Sequence, residues 1–565
     1  MGRRTNKKLV WLGLLAALVL INFIAAKIHY RADLTQEKRY SITHTTKNLL
    51  HSLDGDLHIS VFLKGDFPAE FRRLSTTSQE FVSELREANP SRITYTFINP
   101  QDEAAPGKSW GDSLQVMGAS PVNLSVQVKS GEENKLLFPY ALINYKGYQS
   151  LINLFSSSKR TITATELNNA EAMMEYEYAR AIDQMNNPQR ASVAYAIGNG
   201  EPTNARVYDL QQVVRSAYNF GLFNIKAQKF IPKEIQVLLV VKPDSTFSTD
   251  EKLKIDQYIM NGGKVLWFID NLHAEQDSLS YTNKLVAYER NLDIQDLLFN
   301  YGVRINPDLV MDLQCDFLPF AVGGSASNPQ YEFLHWNYYP LFESKNNHLI
   351  NKNLGLVAGR YVNSVDTIQV PGVKKTFLLQ SSSNSRTIST PALISPNENR
   401  NTPTDAAFNQ SGIPAAVLLE GHFTSFFRNR ISKAQVDSLA AGGGFVESTT
   451  EPNKMIVVAD GDIVLNDISP KEGPLPMGLN LFTSGSQYEY QFANRDFLMN
   501  CLEYLTSKTS IIETRNKEIV LRLLDTKKVD AEKSKWQLIN IVLPILLIII
   551  AGVIYQQVRR YRFGG

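Results

Sequence analysis

Two uncharged apolar runs stand near the two ends of the chain, and short apolar strands alternating with amphipathic helices fill what lies between. Leu9 to Ala26 reads LVWLGLLAALVLINFIAA, and Leu538 to Tyr555 reads LINIVLPILLIIIAGVIY. At 1.5 Å per residue, each is about long enough to cross a hydrocarbon core of roughly 30 Å. The expectation is a transmembrane helix over 9–29 and a second over 537–556, with tails 1–8 and 557–565 on one side of a bilayer and everything else on the other. Arg3, Arg4, Lys7 and Lys8 also give the first run the basic start of a signal peptide. It ends FIAAKIHYR, without a small-x-small cleavage site, so an uncleaved anchor is the reading taken. Trp536, Tyr555 and Tyr561 flank the second run like an interfacial aromatic belt. Lys and Arg crowd both flanks of both runs, so the charge rule leaves the orientation open.

Residues 30–158 read as an α/β module. LHISVFLKG (57–65) is a strand, and Phe71, Leu74, Phe81 and Leu85 share one face of the helix that follows. Pro90 closes that helix and RITYTFINP (92–100) returns as a strand, which predicts a right-handed parallel crossover. PVNLSVQVKS and NKLLFPYALINYKG then predict a hairpin. The set resembles a thioredoxin-like arrangement, but no Cys-x-x-Cys is present to carry redox chemistry.

Residues 159–188 predict a connecting helix. Thr163 and Glu166 match a capping box, and Leu167, Ala170, Met174, Tyr178, Ala181 and Met185 form a stripe that packs on a neighbouring domain. Asn186, Asn187 and Pro188 break it. Over 189–510 a second α/β pattern follows: ASVAYAIGNGEP, VLLVVKP and KVLWFID as strands, separated by VYDLQQVVRSAYN and TDEKLKIDQYIMNGG as helices. This is the signature of a doubly wound sheet. IPAAVLLEGHF and KMIVVAD complete the sheet in this reading, which makes the irregular middle an insertion, and RDFLMNCLEYLTS is a late helix. Residues 511–536 predict a juxtamembrane helix.

Composition agrees with a folded chain of about three or four domain equivalents. Of 565 residues 43% are apolar, and a net charge of +2 gives no basic surface for nucleic acid. The two cysteines, Cys315 and Cys501, allow one disulfide or two buried thiols.

Ligands of open α/β sheets sit beyond the carboxyl ends of the strands. Gly198, Gly200 and Glu201, then Asp270, then Asp460 beside Asp462 occupy three such ends and form the candidate ligand or partner site. The glycines supply GxG, but Thr203 stands where a dinucleotide fingerprint needs glycine, so a tight turn is the plainer reading. Carboxylates at strand ends also serve as ordinary turn and helix caps. HExxH, GxSxG and the GxxxxGK[ST] phosphate loop are all missing, as is a zinc-spaced His/Cys set, so no catalytic residue, cofactor or metal is assigned. Within the apolar runs, Asn22, Asn540 and Pro544 are candidate docking positions, either between the two spans or onto a multi-span partner in the lipid bilayer.

RADLTQEKRYSIT, LDGDLHISVFLKGDFPAEFRRL, IGNGEP, DQYIMNGGKVLWFID, AAVLLEGHFTSFFRNR and KWQLINIVLP, in that order between two terminal spans, resemble the GldG family of gliding-motility-associated ABC-transporter auxiliary, or substrate-binding, proteins. The resemblance implies a permease partner, GldF, and an ATPase partner, GldA. It also implies an inner-membrane chain with a periplasmic body and cytoplasmic termini. At fold level it implies a class I glutamine-amidotransferase-like α/β domain, here without the nucleophilic cysteine that those enzymes place at a strand-to-helix turn. The function expected is a non-catalytic auxiliary subunit. The alternatives are a structural scaffold of the gliding or secretion apparatus and, less in keeping with the residues, a membrane-anchored hydrolase.

Overall fold

The computed structural model describes residues 41–65, 67, 69–119, 121–128, 131–155, 164–187, 189–277, 279, 284–325, 328–343, 346–352, 354–396, 405–432, 435–436, 444–506, 511, 514 and 526–563, with 11, 15–16, 18–19 and 22 near the start. Thr163 and most of the first apolar run lie outside them. The chain divides into two compact units, Met1–Glu518 and Ile519–Gly565.

The first unit begins with α1 (His44–His51), whose Thr43 N-cap accepts from the Thr46 amide. Next come β1 (Leu57–Val61), α2 (Ala69–Ala88) and β2 (Ile93–Phe97). A short helix, α3 (Trp110–Val116), precedes β3 (Val122–Val128), β4 (Gly131–Leu137), β5 (Tyr140–Tyr145) and β6 (Tyr148–Asn153). One sheet runs in the order β2-β1-β5-β6, with β1 and β2 parallel and the rest antiparallel. The stretch expected to be one strand of a hairpin is therefore two. Pro139, which has no N–H to give a ladder, follows β4; β3 pairs with β4, while β5 enters the main sheet. Ala141, Ile143 and Tyr145 point to a core shared with α1, α2 and α4 (Ala164–Asn186), whereas Tyr140 and Leu142 face Leu114 of α3. Most of the predicted α4 stripe is buried there, with Ala170 and Met185 partly so. Glu175 of α4 ties down the start of α1, accepting from Thr43 N at 2.7 Å and Thr46 Oγ1 at 2.6 Å.

The larger sheet is built from β7 (Ser192–Ile197), β8 (Asn219–Asn224), β9 (Val237–Val241), β10 (Lys264–Phe268) and three later strands. Helices α5 (Tyr208–Ala217) and α6 (Thr249–Met260) lie between them, and Ser248 with Glu251 closes a capping box on α6. After β10 come β11 (Asp308–Asp312), the long ribbon β12 (Cys315–Ser325) and β13 (Asn328–Phe342), then β14 (Val373–Gln380), β15 (Ser385–Ser389), β16 (Pro414–Gly421), β17 (Asn453–Val458) and α7 (Asn494–Thr506). The sheet order is β8-β7-β9-β10-β17-β16-β14. Its first five strands are parallel, β16 runs antiparallel to β17, and β14 runs antiparallel to β16. Both faces are covered, which explains the continuous apolar runs. Leu239, Leu266 and Ile456 pack with Leu210 of α5 and Phe497 of α7; Leu238, Trp267 and Val457 pack with Ile255 and Ile259 of α6. Cys315 and Cys501 are both free and buried.

The second unit holds α8 (Thr526–Phe563), which carries the predicted second span without a break. Its segment Glu532–Arg562 is long and apolar enough to cross a membrane, with a mean hydropathy of 2.8 in its most apolar stretch. Pro544 lies inside it, and Asn540 is exposed on its surface. The described residues of the first run are helical, and Asn22 Nδ2 donates to Leu18 O one turn back at 3.0 Å.

Candidate functional site

The carboxyl ends of three neighbouring parallel strands converge on one side chain. β9 ends at Val241, and the next residue, Lys242, turns with a left-handed backbone, φ 45°. It is 5% exposed. Its ammonium lies 3.0 Å from Asp270 beyond β10, 2.7 Å from Asp462 beyond β17, and 3.1 Å from Glu275 of the insertion. Asp270 also accepts from the Gly461 amide. Asp460 accepts from the amides of Asp462 and Arg360, each at 2.7 Å. Asp270 and Asp460, named from sequence, are thus brought together, and Lys242 joins them.

The insertion closes this end of the sheet. Arg290 bonds Asp244 at 2.8 Å and Glu275 at 3.1 Å. Arg360 holds Asp467 through two parallel bonds of 2.7 Å, the bidentate geometry of a strong ion pair, and lies 5.3 Å from the centre of the Tyr339 ring. Gln276 accepts from the hydroxyls of Tyr339 and Tyr361 at 2.9 and 2.6 Å. A cavity of about 20 Å³ between Asp462, Arg360 and Tyr339 has room for about one water.

Protonation follows from this packing. Burial pushes the Lys242 ammonium down, but Asp270, Asp462 and Glu275 more than reverse that and hold it charged well above the usual lysine range. A permanently protonated amine is neither nucleophile nor base. Burial, then the charges of Asp270 and Asp462, lift Asp460 well above the carboxylate range. Asp462 is also raised by burial, yet Lys242 brings it below its ordinary value. The arrangement can therefore pin the insertion to the sheet. Its charges are spent on one another.

Gly198, Gly200 and Glu201 lie at the end of β7, in a separate group. Both glycines have positive φ, 125° and 83°, and a Cβ on Gly200 would stand 2.9 Å from Asp244 Cβ, so this turn needs glycine there. Glu201 is 6% exposed and accepts from the Asn199 amide at 2.7 Å. Burial is the main reason its carboxyl is raised. Lys242 escaped sequence reasoning because it follows an apolar run as its apparent end; Arg360 and Asp467 escaped because nothing in the sequence pairs them. Both cysteine thiols are pushed up by burial, Cys315 further by Asp312 and Asp316, which leaves them unreactive.

The described residues thus form an α/β sheet capped by an inserted region, and a separate helix long and apolar enough to cross a membrane. Residues 190–501 match the family described as an ABC-type uncharacterized transport system, more than half of the chain, and the protein belongs to that family. Residues 36–144 match a domain of unknown function. An uncharacterized protein of Borreliella burgdorferi is 21% identical over 373 residues, 64% of this chain; the match spans 65% of that relative's length. Among solved structures, the mmIFT52 N-terminal domain aligns at 13% identity with a TM-score of 0.31, over 56% of this chain and 97% of that one. An exo-beta-1,4-mannosidase, Op5Man5 from Opitutaceae bacterium strain TAV5, aligns at 10% identity with a TM-score of 0.18, over 75% and 51%. Neither likeness bears on fold or activity at those scores. The description of that family is of an auxiliary part of an ABC-type transport system.

Proposed function

We propose that this chain is the non-catalytic, membrane-anchored auxiliary or substrate-binding subunit of a gliding-motility ABC transporter, working with a GldF-type permease and a GldA-type ATPase. In this reading two spans, 9–29 and 537–556, anchor it in the inner membrane with the body in the periplasm and both termini in the cytoplasm. The observation that carries the reading is the family match over 190–501, joined to the apolar helix Glu532–Arg562. The parallel pair β1/β2 beside antiparallel β5 and β6 supports a thioredoxin-like reading of the first module. Five parallel strands covered on both faces support an amidotransferase-like reading of the second. The strand ends where such an enzyme would keep reacting groups hold instead carboxylates engaged in ion pairs with Lys242. That favours a carrier or docking part over a hydrolase.

The test is copurification in mild detergent from cells expressing the neighbouring genes. A permease and an ATPase should come down with the tagged chain at fixed ratio, and loss of α8 should abolish this. A chain that purifies alone while its transporter is intact in the same membranes defeats the reading.

A further inference from the structure

Three buried oxygens without a hydrogen-bond donor belong to Asn199, in the turn after β7, and to the two carboxylates that Asn199 bonds: Asn199 Oδ1, Glu201 Oε1 and Glu251 Oε1. The residues are 0%, 6% and 2% exposed. Their other polar atoms are already engaged. Glu201 Oε2 accepts from the Asn199 amide at 2.7 Å. Glu251 Oε2 accepts from Ser248 N at 2.7 Å, Ser248 Oγ at 2.9 Å and Asn199 Nδ2 at 3.3 Å. Asn199 therefore bonds both carboxylates, one through its backbone and one through its side chain, and each of the three side chains keeps one oxygen over.

Buried oxygens in native proteins are rarely left without a partner, and each one that is asks for an explanation. A water can give two hydrogens, which is fewer than three oxygens need. Burial raises the Glu201 carboxyl most, its backbone hydrogen bonds and Lys226 offset this only in part, and the like charge of Glu251 raises it further. A positive ion satisfies both demands. The donors are all oxygen, with no thiolate or imidazole, which is the ligand set of hard cations rather than transition metals. Among the described residues no group of three or more His, Cys, Asp or Glu gathers as a metal site; this set is two carboxylates and a carboxamide. At the α6 N-terminus Glu251 Oε2 accepts from the Ser248 amide and hydroxyl, and the Glu251 amide donates to Ser248 Oγ, so the capping box leaves Glu251 Oε1 unused.

We propose that Asn199, Glu201 and Glu251 bind one hard divalent cation, of the magnesium or calcium class, which clamps the turn after β7 to the first turn of α6. The site is independent of the transport reading and stands or falls without it.

The test is isothermal titration of the purified full-length chain in detergent, stripped with EDTA and titrated separately with calcium chloride and magnesium chloride. One of the two should bind at one ion per chain. Glu201→Gln and Asn199→Ala should each weaken that binding at least about tenfold, the lower end of what disturbing a metal shell costs, with an unchanged circular dichroism spectrum. Absence of saturable binding of either ion to the wild-type chain overturns the proposal and leaves a shared proton or a water at the site. Equal binding by wild type and Glu201→Gln overturns it too, by placing the ion elsewhere. If neither variant folds, the wild-type titration and the response of wild-type Tm to the bound ion decide the matter.

Discussion

Lys242 can reach the carboxylates of two other strands because Gly461 has no side chain: a Cβ at Gly461 would lie 2.6 Å from Lys242 Cβ and 2.9 Å from its Cγ. The contact involves the stem of Lys242 near its backbone, which has little room to yield. Gly461→Ala should cost about 1–3 kcal/mol, the usual penalty of overpacking, read as a lower urea midpoint with an unchanged slope. A variant as stable as the wild type would mean that the three strand ends are looser than described.

Removing the ammonium is more severe than crowding it. Lys242→Met leaves Asp270 and Asp462 facing each other in a site where both side chains are nearly buried, 11% and 13% exposed. Breaking a buried pair by deleting one partner costs about 3–5 kcal/mol. Arg92→Ala, which breaks the exposed pair with Asp56, is the control and should change little. Comparable midpoints for the two variants would deny the network its stabilising role.

Acid should release the insertion through Asp467. Burial raises this carboxyl, but the charge and two bonds of Arg360 outweigh burial and hold it below its ordinary value of 3.8. A carboxyl lowered by folding contributes stability that is present above the unfolded value and lost as pH falls through the folded one. The wild type should therefore lose stability below about pH 4. Asp467→Asn should be less stable at neutral pH and show a shallower acid limb. Urea midpoints taken between about pH 3 and pH 7 check this; parallel curves would acquit the Arg360–Asp467 pair.

Cys315 and Cys501, both free and buried, should resist modification by a maleimide in the native chain and both react after denaturation. Reducing and non-reducing gels should give one mobility.

On the proposed reading, docking through Asn22 and Asn540 should be weak. An interhelical hydrogen bond in lipid is worth about 0.6 kcal/mol on average, so the double change Asn22→Leu, Asn540→Leu should weaken permease recovery by less than about tenfold. Complete recovery in stringent detergent would assign the docking elsewhere.

Legibility followed periodicity. The stripe of α2 and α4, the apolar runs of β9 and β10 and the return of β16 and β17 to the same sheet all follow from spacing, because burial on a regular element repeats with its period. The strand ends were found for the same reason: Asp270 and Asp460 stand where regular runs stop. What escaped has no period. The Arg360–Asp467 pair and the Gln276 contacts with Tyr339 and Tyr361 join residues from irregular segments, and only three-dimensional closure brings them together. Helix α6 is the mixed case. A cap at Ser248 or Thr249 could be read, but not that its polar side would be buried too, with Asp256 accepting from Tyr301 at 2.7 Å and Ser425 at 2.6 Å.

The pairing of Val265 with Met455 sets an order of events as well as a shape. β10 cannot gain its second neighbour until the chain has been delivered through Val458, so during synthesis Trp267 waits on an unfinished border while the whole intervening segment emerges. Such distant pairing makes folding slow and leaves a partly made chain open to unwanted association. Truncations that stop short of residue 453 should accumulate as aggregates, however well their first module folds.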